Sequence, residues 1–214
     1  MTRLLLVRHG ESNVTVERRI GGLRTCSGLS DLGRRQAAAL AERMARGHEP
    51  PVEVLVSSTF PRARETAEFV SGALGLPVVS DVDLGEHDPG SECDGLTFEA
   101  YIERFGHGDW EHDPYAHGFP GGETLAAFQH RAADALTRVA RNHAGATAMV
   151  VCHGGVIDRA VRLFLQAPAT GGFEVHTVNT SITEFLLVRP GRWRMLRYND
   201  AAHLAGLPAE TPRT

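Results

Sequence analysis

The chain has 214 residues, of which 42% are hydrophobic, and its formal charge at pH 7 is −4. This length suits a single domain over residues 1–214, and the acidic balance excludes the broad basic surface that nucleic acids and anionic membranes require. The apolar run at residues 4–7 is far shorter than the roughly 20 residues of a membrane-spanning helix. We therefore expect a cytoplasmic protein with neither nucleic acid nor membrane as a partner.

Cysteine usage points away from disulfides and from cysteine metal sites. Cys26, Cys93 and Cys152 are odd in number and widely spaced, and no two of them form a CxxC pair. We expect buried free thiols at these three positions.

Three short apolar runs, at residues 4–7, 54–56 and 148–151, have the length of strands that are buried on both faces, as in a parallel sheet. Ser30 or Asp31 can cap the first of the helices that alternate with these strands, and Gly47 can end it. The helical patterns cover residues 29–47, 61–71, 124–141 and 153–165.

The sequence on either side of Pro190 and Gly191 predicts a closing hairpin. The expected fold is a three-layer α/β/α sandwich with a mostly parallel central sheet, one antiparallel edge strand and a lid insertion. The lid is the segment at residues 84–119, which is rich in Gly, Pro, His and acidic residues and has a helical signal only at 98–105. Residues 204–214 are expected to form a loose tail.

Polar residues follow three of the predicted strands directly. Arg8 and His9 follow the first strand, Arg62 opens the helix after the second, and His153 and Gly154 follow the strand at 148–151. Because the carboxyl ends of parallel strands share one edge of a sheet, we expect these side chains to meet in one cleft. Two histidines and two arginines beside helix N-termini form a positive site that suits a phosphoryl group.

Five ordered blocks carry a resemblance to a known family. The sequence resembles the histidine phosphatase superfamily, the group that includes the cofactor-dependent phosphoglycerate mutases. The blocks are VRHGES at 7–12, LSDLGRRQA at 29–37, SSTFPRARETA at 57–67, GGET at 121–124 and VVCHGGVI at 150–157.

The resemblance implies a role for each residue of the expected cleft. His9 becomes the nucleophile, Arg8, Arg62 and His153 hold the phosphate, and Glu86 becomes the proton donor. The implied reaction is metal-independent hydrolysis of a small-molecule phosphate ester through a phosphohistidine, with no cofactor. The neighbouring arginines favour this chemistry because they disfavour the charged imidazolium, and only an unprotonated imidazole nitrogen can attack phosphorus.

The sequence departs from the family pattern around Glu86. The chain reads LGEHDPGSECDGLT, with one residue more than the family pattern has. Asp88, Glu92 and Asp94 are therefore rivals of Glu86 for the role of proton donor.

A second departure lies six residues after His9, where the family usually has an asparagine that touches phosphate. Thr15 stands at this position, and its hydroxyl can also donate a hydrogen bond. Asn13 lies nearby, and Ser181 belongs to a later block that the family also places near the site. We expect Asn13, Thr15, Gly154 and Ser181 to bind substrate.

The lid favours a phosphatase over a mutase, because a mutase must hold a second strongly anionic group. Residues 97–119 contain five acidic residues and one cation, Arg104. Arg18, Arg19 and Arg24 would oppose this argument if they faced the cleft. A phosphoglycerate mutase-type phosphotransferase is the first alternative, and a non-catalytic phosphate-binding protein is the second.

The lid also contains residues with metal-ligand chemistry, His107, Asp109, His112 and His117. Their intervals do not place them on one face of a helix, and Pro114 interrupts the segment, so we expect no metal site.

The edge strand of the closing hairpin offers a surface for a possible homodimer.

Overall fold

The structure is a computed structural model that describes residues 1–209, so the part of the predicted loose tail from position 210 onward lies outside the described residues. The described part contains a six-stranded sheet in the order β3-β2-β4-β1-β5-β6. The strands are β1 (Arg3–Arg8), β2 (Val54–Ser58), β3 (Val78–Asp81), β4 (Thr147–Cys152), β5 (Ile182–Arg189) and β6 (Arg192–Asp200).

The strand directions match the prediction of a mostly parallel sheet with an antiparallel edge. β1, β2, β3 and β4 are parallel to one another, with Leu5 of β1 opposite Met149 of β4. β5 runs antiparallel to both β1 and β6, and it forms the predicted hairpin with β6. The aliphatic residues of β1 therefore lie in the middle of the sheet, where they have neighbours on both sides.

Helices connect the strands at the positions that the apolar patterns indicate. Ser30 caps the second helix, since its Oγ accepts a hydrogen bond from the amide of Gly33 at 3.0 Å. The helices are α1 (Asn13–Val16), α2 (Asp31–Ala45), α3 (Pro61–Leu74), α4 (Gly90–Cys93), α5 (Phe98–Phe105), α6 (Leu125–Asn142) and α7 (Gly154–Leu165). Short 3₁₀ turns cover Val82–Leu84 and Ala202–Leu204.

Two hydrophobic cores lie on opposite faces of the sheet, as the alternation of side chains along a strand requires. Leu4 and Leu6 of β1 pack with α6 and α7, whereas Leu5 and Val7 pack with α2 and α3. This arrangement confirms the three-layer α/β/α sandwich, and the strand that carries His9 at its end is held from both sides.

The segment predicted as a lid contains α4, α5 and long loops. A third, smaller core joins it to the loop after α1, because Ile20 packs with Cys93 and Tyr101. The Tyr101 hydroxyl also donates a hydrogen bond to the carbonyl of Gly118. The segment therefore has its own packing beside the carboxyl ends of the strands.

The three cysteines are buried and free, as expected. Burial raises the pKa of the Cys152 thiol well above its usual range, so this side chain behaves as a small apolar group. Among the helices of residues 1–209, we find none with both the length and the apolar character needed to cross a bilayer.

Candidate active site

The three strand ends that the sequence singles out lie side by side, next to a cleft of about 320 Å³. His9 follows β1, Ser58 ends β2 and His153 follows β4, and these three strands are adjacent and parallel. The cleft wall includes His9, Thr15, Arg62 and Glu86. The parallel topology therefore brings together residues that are far apart in the chain.

The hydrogen bonds of His9 fix its tautomer. Nδ1 lies 2.7 Å from the carbonyl oxygen of Gly10, which can only accept, so this nitrogen carries the proton. Nε2 lies 3.1 Å from Nε of Arg62, which can only donate. The imidazole is consequently neutral in this arrangement, with the lone pair of Nε2 on the side of Arg62.

Backbone and side-chain contacts hold the His9 segment in place. Nδ2 of Asn179 donates to the carbonyl of His9 at 2.7 Å, and the amide of Gly10 donates to Oγ1 of Thr66 at 3.0 Å. The Thr66 hydroxyl in turn donates to the carbonyl of Arg62 at 2.8 Å. These bonds connect the strand end to α3, so that the His9 ring and the Arg62 guanidinium are positioned by the same network.

Arg62 is buried at the start of α3, although arginine at a helix surface is usually exposed. Its guanidinium lies over the ring of Phe60, with Cζ 4.7 Å from the ring centroid, and it also donates to the carbonyl of Gly21 at 3.2 Å. A guanidinium is always charged, and here it stands beside Nε2 of His9, where it can contact a phosphoryl group.

His153 is fully buried, and its ring packs edge-on against His9 with 5.0 Å between the centroids. Its Nε2 lies 2.9 Å from Oγ of Ser58, which also accepts from the amide of Phe60. Its Nδ1 is a buried atom without a hydrogen-bond partner among residues 1–209. Burial and the nearby Arg62 lower the pKa of His153 well below its usual value, which keeps the ring neutral.

Arg8 is almost fully buried on the same face of β1 as Leu6. Its guanidinium donates to the carbonyl of Thr177, while its own carbonyl accepts from the amide of Thr180 at 2.8 Å. Arg8 is not one of the residues that line the cleft. It lies near enough to contribute to the low pKa of His153, so its charge is felt at the site.

Glu86 stands between the cleft and a second cavity of about 570 Å³. Oε2 accepts from the amide of Gly155, in the first turn of α7, at 3.1 Å, and Oε1 accepts from the amide of His87 at 3.0 Å. The carboxylate lines the same cleft as His9, and it is held at a helix N-terminus, where negative charge is favoured.

The three rivals of Glu86 have other contacts. Asp88 accepts from the amide of Gly90 at 2.9 Å, and the exposed Glu92 pairs with Arg104 at 3.0 Å. Asp94 accepts from the amides of Gly22 and Arg24 and from the Thr25 hydroxyl. None of these three lines either cavity. Among the four acids, the geometry therefore favours Glu86.

Arg131 of α6 holds the backbone before Glu86, a role that the sequence analysis did not identify. Its guanidinium donates to the carbonyls of Asp83, Gly85 and Glu86 at 2.8, 3.0 and 3.2 Å. It also forms a two-point contact with the carboxylate of Glu123, at 2.9 and 2.7 Å. Glu123 belongs to the GGET block, so the resemblance was a signal for this pair, although it did not identify Arg131.

The four residues predicted to bind substrate lie in different parts of the structure. Thr15 lines the cleft, and its hydroxyl lies 2.9 Å from that of Ser12. Gly154 lines the second cavity. Asn13 instead donates to Oγ of Ser27 at 3.2 Å, and Ser181 is fully buried, so neither of these two lies on the cleft wall.

The lid histidines are dispersed. His112 lies 3.1 Å from Asp109, whereas Nδ1 of His117 lies 2.8 Å from the carbonyl of Gly122. Over residues 1–209, no group of three or more His, Cys, Asp or Glu residues is arranged to hold a metal ion.

The chain is similar to proteins of known families. The model of the histidine phosphatase superfamily (branch 1) matches residues 4–201. A metal-independent phosphoserine phosphatase of Arabidopsis thaliana is 33% identical over 217 residues, which cover 97% of this chain and 85% of the relative. A phosphoglycerate mutase-like protein of the same plant is 32% identical, over 94% of this chain and 86% of the relative.

Solved structures of phosphatases are also similar to this chain. A mycobacterial glucosyl-3-phosphoglycerate phosphatase superposes with a TM-score of 0.77 at 27% identity, covering 92% of this chain and 99% of that one. A phosphoserine phosphatase mutant of Entamoeba histolytica in complex with phosphoserine gives a TM-score of 0.78 at 25% identity, covering 95% and 100%. The prediction of a phosphoric monoester hydrolase is confirmed at this level. The chain belongs to the histidine phosphatase superfamily.

Proposed function

We propose that the protein hydrolyses a small phosphorylated metabolite through a phosphohistidine on His9. The observation that carries this proposal is the tautomer of His9, whose unprotonated Nε2 faces Arg62 in the wall of the cleft. The relatives support the substrate class, since the two phosphoserine phosphatases and the glucosyl-3-phosphoglycerate phosphatase named above are phosphatases of small phosphate esters.

In the first step, Nε2 of His9 attacks phosphorus in line with the ester oxygen. A P–N bond forms as the P–O bond of the ester breaks, and Glu86 gives its proton to the departing alkoxide. In the second step, Glu86 takes a proton from water, the oxygen of that water attacks phosphorus, and the P–N bond breaks. Inorganic phosphate leaves, and His9 and Glu86 return to their starting protonation states.

Charge on the phosphoryl oxygens is stabilised by groups around His9. Arg62 supplies a guanidinium beside Nε2, and His153 supplies its otherwise unpartnered Nδ1–H. Arg8 does not line the cleft. It contributes its positive charge to the site, and its bond to the carbonyl of Thr177 holds the end of β1 in place. Thr15 is the one of the four predicted substrate-binding residues that contributes to the cleft wall.

Hydrolysis is favoured over mutase-type transfer by what the lid places in the cleft. The lid residues after position 96 that reach the cleft are Phe98 and Phe119, and neither is charged. The sole cation of that stretch, Arg104, pairs with Glu92 on the surface. Phosphotransfer to a second substrate remains the alternative because Arg18 and Arg19 line the same cleft.

We further infer a cytoplasmic protein with one domain, without a cofactor, that associates as a homodimer through the hairpin edge. Met195, Leu196 and Tyr198 of β6 are 40%, 45% and 43% exposed, and they offer apolar area along that edge. Sedimentation of the pure protein tests the dimer, and a monomer at micromolar concentration would refute it.

The experiment that tests the function compares two assays on the same preparation. Phosphate release is measured from a panel of phosphoglycerates, phosphoamino acids, sugar phosphates and p-nitrophenyl phosphate, beside a coupled phosphoglycerate mutase assay. We expect phosphate release from at least one phosphomonoester, insensitive to chelator. Isomerisation stimulated by a bisphosphoglycerate, without net release of phosphate, would identify a mutase instead.

A further inference from the structure

We propose that Arg18 forms a subsite for a second anionic group, a carboxylate, on the leaving-group side of the substrate. This inference rests on the proposed hydrolysis at His9, because it assumes that the phosphoryl group lies between His9 and Arg62. It narrows the substrate to a short phosphorylated carboxylic acid.

The position of Arg18 provides the first argument. Arg18 lines the same cleft as His9 and Arg62, and its guanidinium forms no hydrogen bond or ion pair with residues 1–209. The neighbouring Arg19 is already engaged, since it pairs with Glu17 at 3.2 Å and donates to the carbonyl of Gly95 at 2.7 Å. Arg18 is therefore the guanidinium of this pair that is available to a ligand.

The backbone of Arg18 provides the second argument. Its φ of +54° lies in the left-handed region, directly after the short helix α1, and its amide donates to the carbonyl of Thr15 at 3.1 Å. Glycine is the residue that adopts this helix-ending conformation without strain. A long charged side chain here therefore lowers stability relative to glycine, and binding of a ligand by Arg18 would account for its presence.

The charges of the cleft provide the third argument. Three guanidiniums line it, those of Arg18, Arg19 and Arg62, against the single carboxylate of Glu86. Arg62 is directed at His9 and Arg19 is paired with Glu17. The charge of Arg18 can therefore pair with a negative group of the substrate other than its phosphate.

The cleft also offers apolar surface to the leaving group. This surface comes from Val14, Phe98 and Phe119. A short carbon chain can contact these side chains while its carboxylate meets Arg18 and its phosphate meets Arg62.

The test uses two matched pairs of substrates that differ only at the proposed carboxylate. O-phosphoserine is compared with O-phosphoethanolamine, and 3-phosphoglycerate with glycerol 3-phosphate, as kcat/KM ratios. We expect the wild-type protein to prefer the acid in each pair, and Arg18→Gly to reduce this preference about tenfold or more, mainly through KM. Arg18→Lys should retain part of the preference, because it keeps the charge but loses the planar fork.

Thermal unfolding distinguishes a loss of substrate recognition in Arg18→Gly from a loss of folded protein. Arg18→Gly should raise Tm by about 1–3 °C, because glycine relieves the left-handed conformation. Gln166→Gly is the matched control, since Gln166 also has a positive φ, +56°, at the end of α7 and lies outside the cleft. It should raise Tm similarly without changing the substrate ratios. Unchanged ratios in Arg18→Gly would overturn the proposal.

Turnover of p-nitrophenyl phosphate, which has no carboxylate, reports the proposed function separately. If the wild-type protein hydrolyses none of these esters, calorimetry with O-phosphoserine and O-phosphoethanolamine measures the same preference as a ratio of Kd values. A preference that disappears in Arg18→Gly would support the subsite even though the proposed hydrolysis had failed. Equal binding of the two ligands to the wild-type protein would refute the subsite.

Discussion

The amide of Gly155 donates to Oε2 of Glu86 at 3.1 Å, and no other residue type fits at position 155 with Glu86 in this place. A β-carbon there would overlap Oε1 of Glu86 and lie 2.9 Å from Cε1 of Phe128. The second glycine of the HGG sequence therefore provides both a hydrogen-bond donor and the space that the carboxylate occupies.

Gly155→Ala should displace Glu86 and slow proton transfer. We expect the first-turnover rate with alkyl phosphates to fall about 100-fold or more, and the first-turnover release of p-nitrophenol to fall much less, because that leaving group needs no acid. Rapid-quench kinetics measure both rates. Gly72→Ala is the matched control, since Gly72 is a helical glycine with open space around it. Equal slowing of both leaving groups would contradict a role through Glu86.

Arg131→Lys should loosen the backbone that carries Glu86. Lysine cannot replace the two-point contact with Glu123 together with three carbonyl bonds, so we expect a loss of about 2–3 kcal/mol in the free energy of unfolding. The alkyl-phosphate rate should also fall about tenfold relative to the p-nitrophenyl rate. Urea denaturation and rapid-quench kinetics provide the two readouts.

Arg138→Lys is the control for that variant. Arg138 lies on the same helix and is similarly half-buried, and it pairs with the carboxylates of Asp81, Asp83 and Asp134. Lysine keeps the charge that these pairs need, and no hydrogen bond of Arg138 to a backbone carbonyl is found among residues 1–209, so its replacement should change stability by less than about 1 kcal/mol and leave the ratio of the two rates unchanged. An unaltered ratio in Arg131→Lys would show that Arg131 stabilises the fold without positioning Glu86.

Ser58→Ala should affect all substrates alike, in contrast to Gly155→Ala. In the proposed reaction, the Ser58 hydroxyl donates to Nε2 of His153 and the proton of the ring is on Nδ1, so loss of the hydroxyl should weaken the proposed bond from Nδ1 to the phosphoryl group. We expect kcat/KM to fall about tenfold with every leaving group. Ser57→Ala is the matched control, since the Ser57 hydroxyl donates only to the carbonyl of Ser58. A dependence on the leaving group would contradict this role.

The parts of the site that the sequence predicted are those fixed by topology. His9, Arg62 and His153 follow strands or open helices, so the parallel order of β1, β2 and β4 was enough to bring them together. The polarity of a residue close to His9 in sequence predicted its place in the site less well than the strand order did. Asn13 lies only four residues after His9, yet it faces Ser27, because the turn after β1 directs it away from the cleft.

Other features depend on contacts between distant segments, which a local pattern does not contain. Arg131 meets the backbone of residues 83–86 only because α6 packs beside that loop. β3 was not predicted because it is a short edge strand with Val79 50% exposed, so it lacks a continuous apolar run. Tertiary packing determines both features.

The stability of the protein should depend on the protonation of His203. Nδ1 of His203 accepts from Arg43 at 3.3 Å, and Nε2 lies 3.0 Å from Oγ1 of Thr180. Burial, with the charge of Arg43, lowers the pKa of His203 to about 4. The unfolded chain binds this proton near pH 6.5, so the stability from the neutral ring is complete above pH 6.5 and is lost as the pH falls towards 4.

We expect His203 to contribute about 1–2 kcal/mol to the loss of stability between pH 6.5 and 4. The free energy of unfolding, measured by urea denaturation across this range, should fall less steeply in His203→Gln, because the amide does not titrate. His153 and His87 have lowered pKa values and contribute in the same direction, so a residual slope is expected in the variant. Identical slopes in the two proteins would contradict this assignment.

In the proposed reaction, His9 carries the phosphoryl group during turnover. The test mixes the protein with a substrate that it hydrolyses, quenches the mixture in alkaline denaturant within the first turnover, because phosphohistidine is lost in acid, and analyses the protein by mass spectrometry under neutral conditions. We expect a phosphoryl group on His9 that forms and decays at rates compatible with turnover and that acid removes, and we expect neither this group nor activity in His9→Ala. Substantial phosphatase activity in His9→Ala, or a phosphoryl group on another residue, would refute the proposed mechanism.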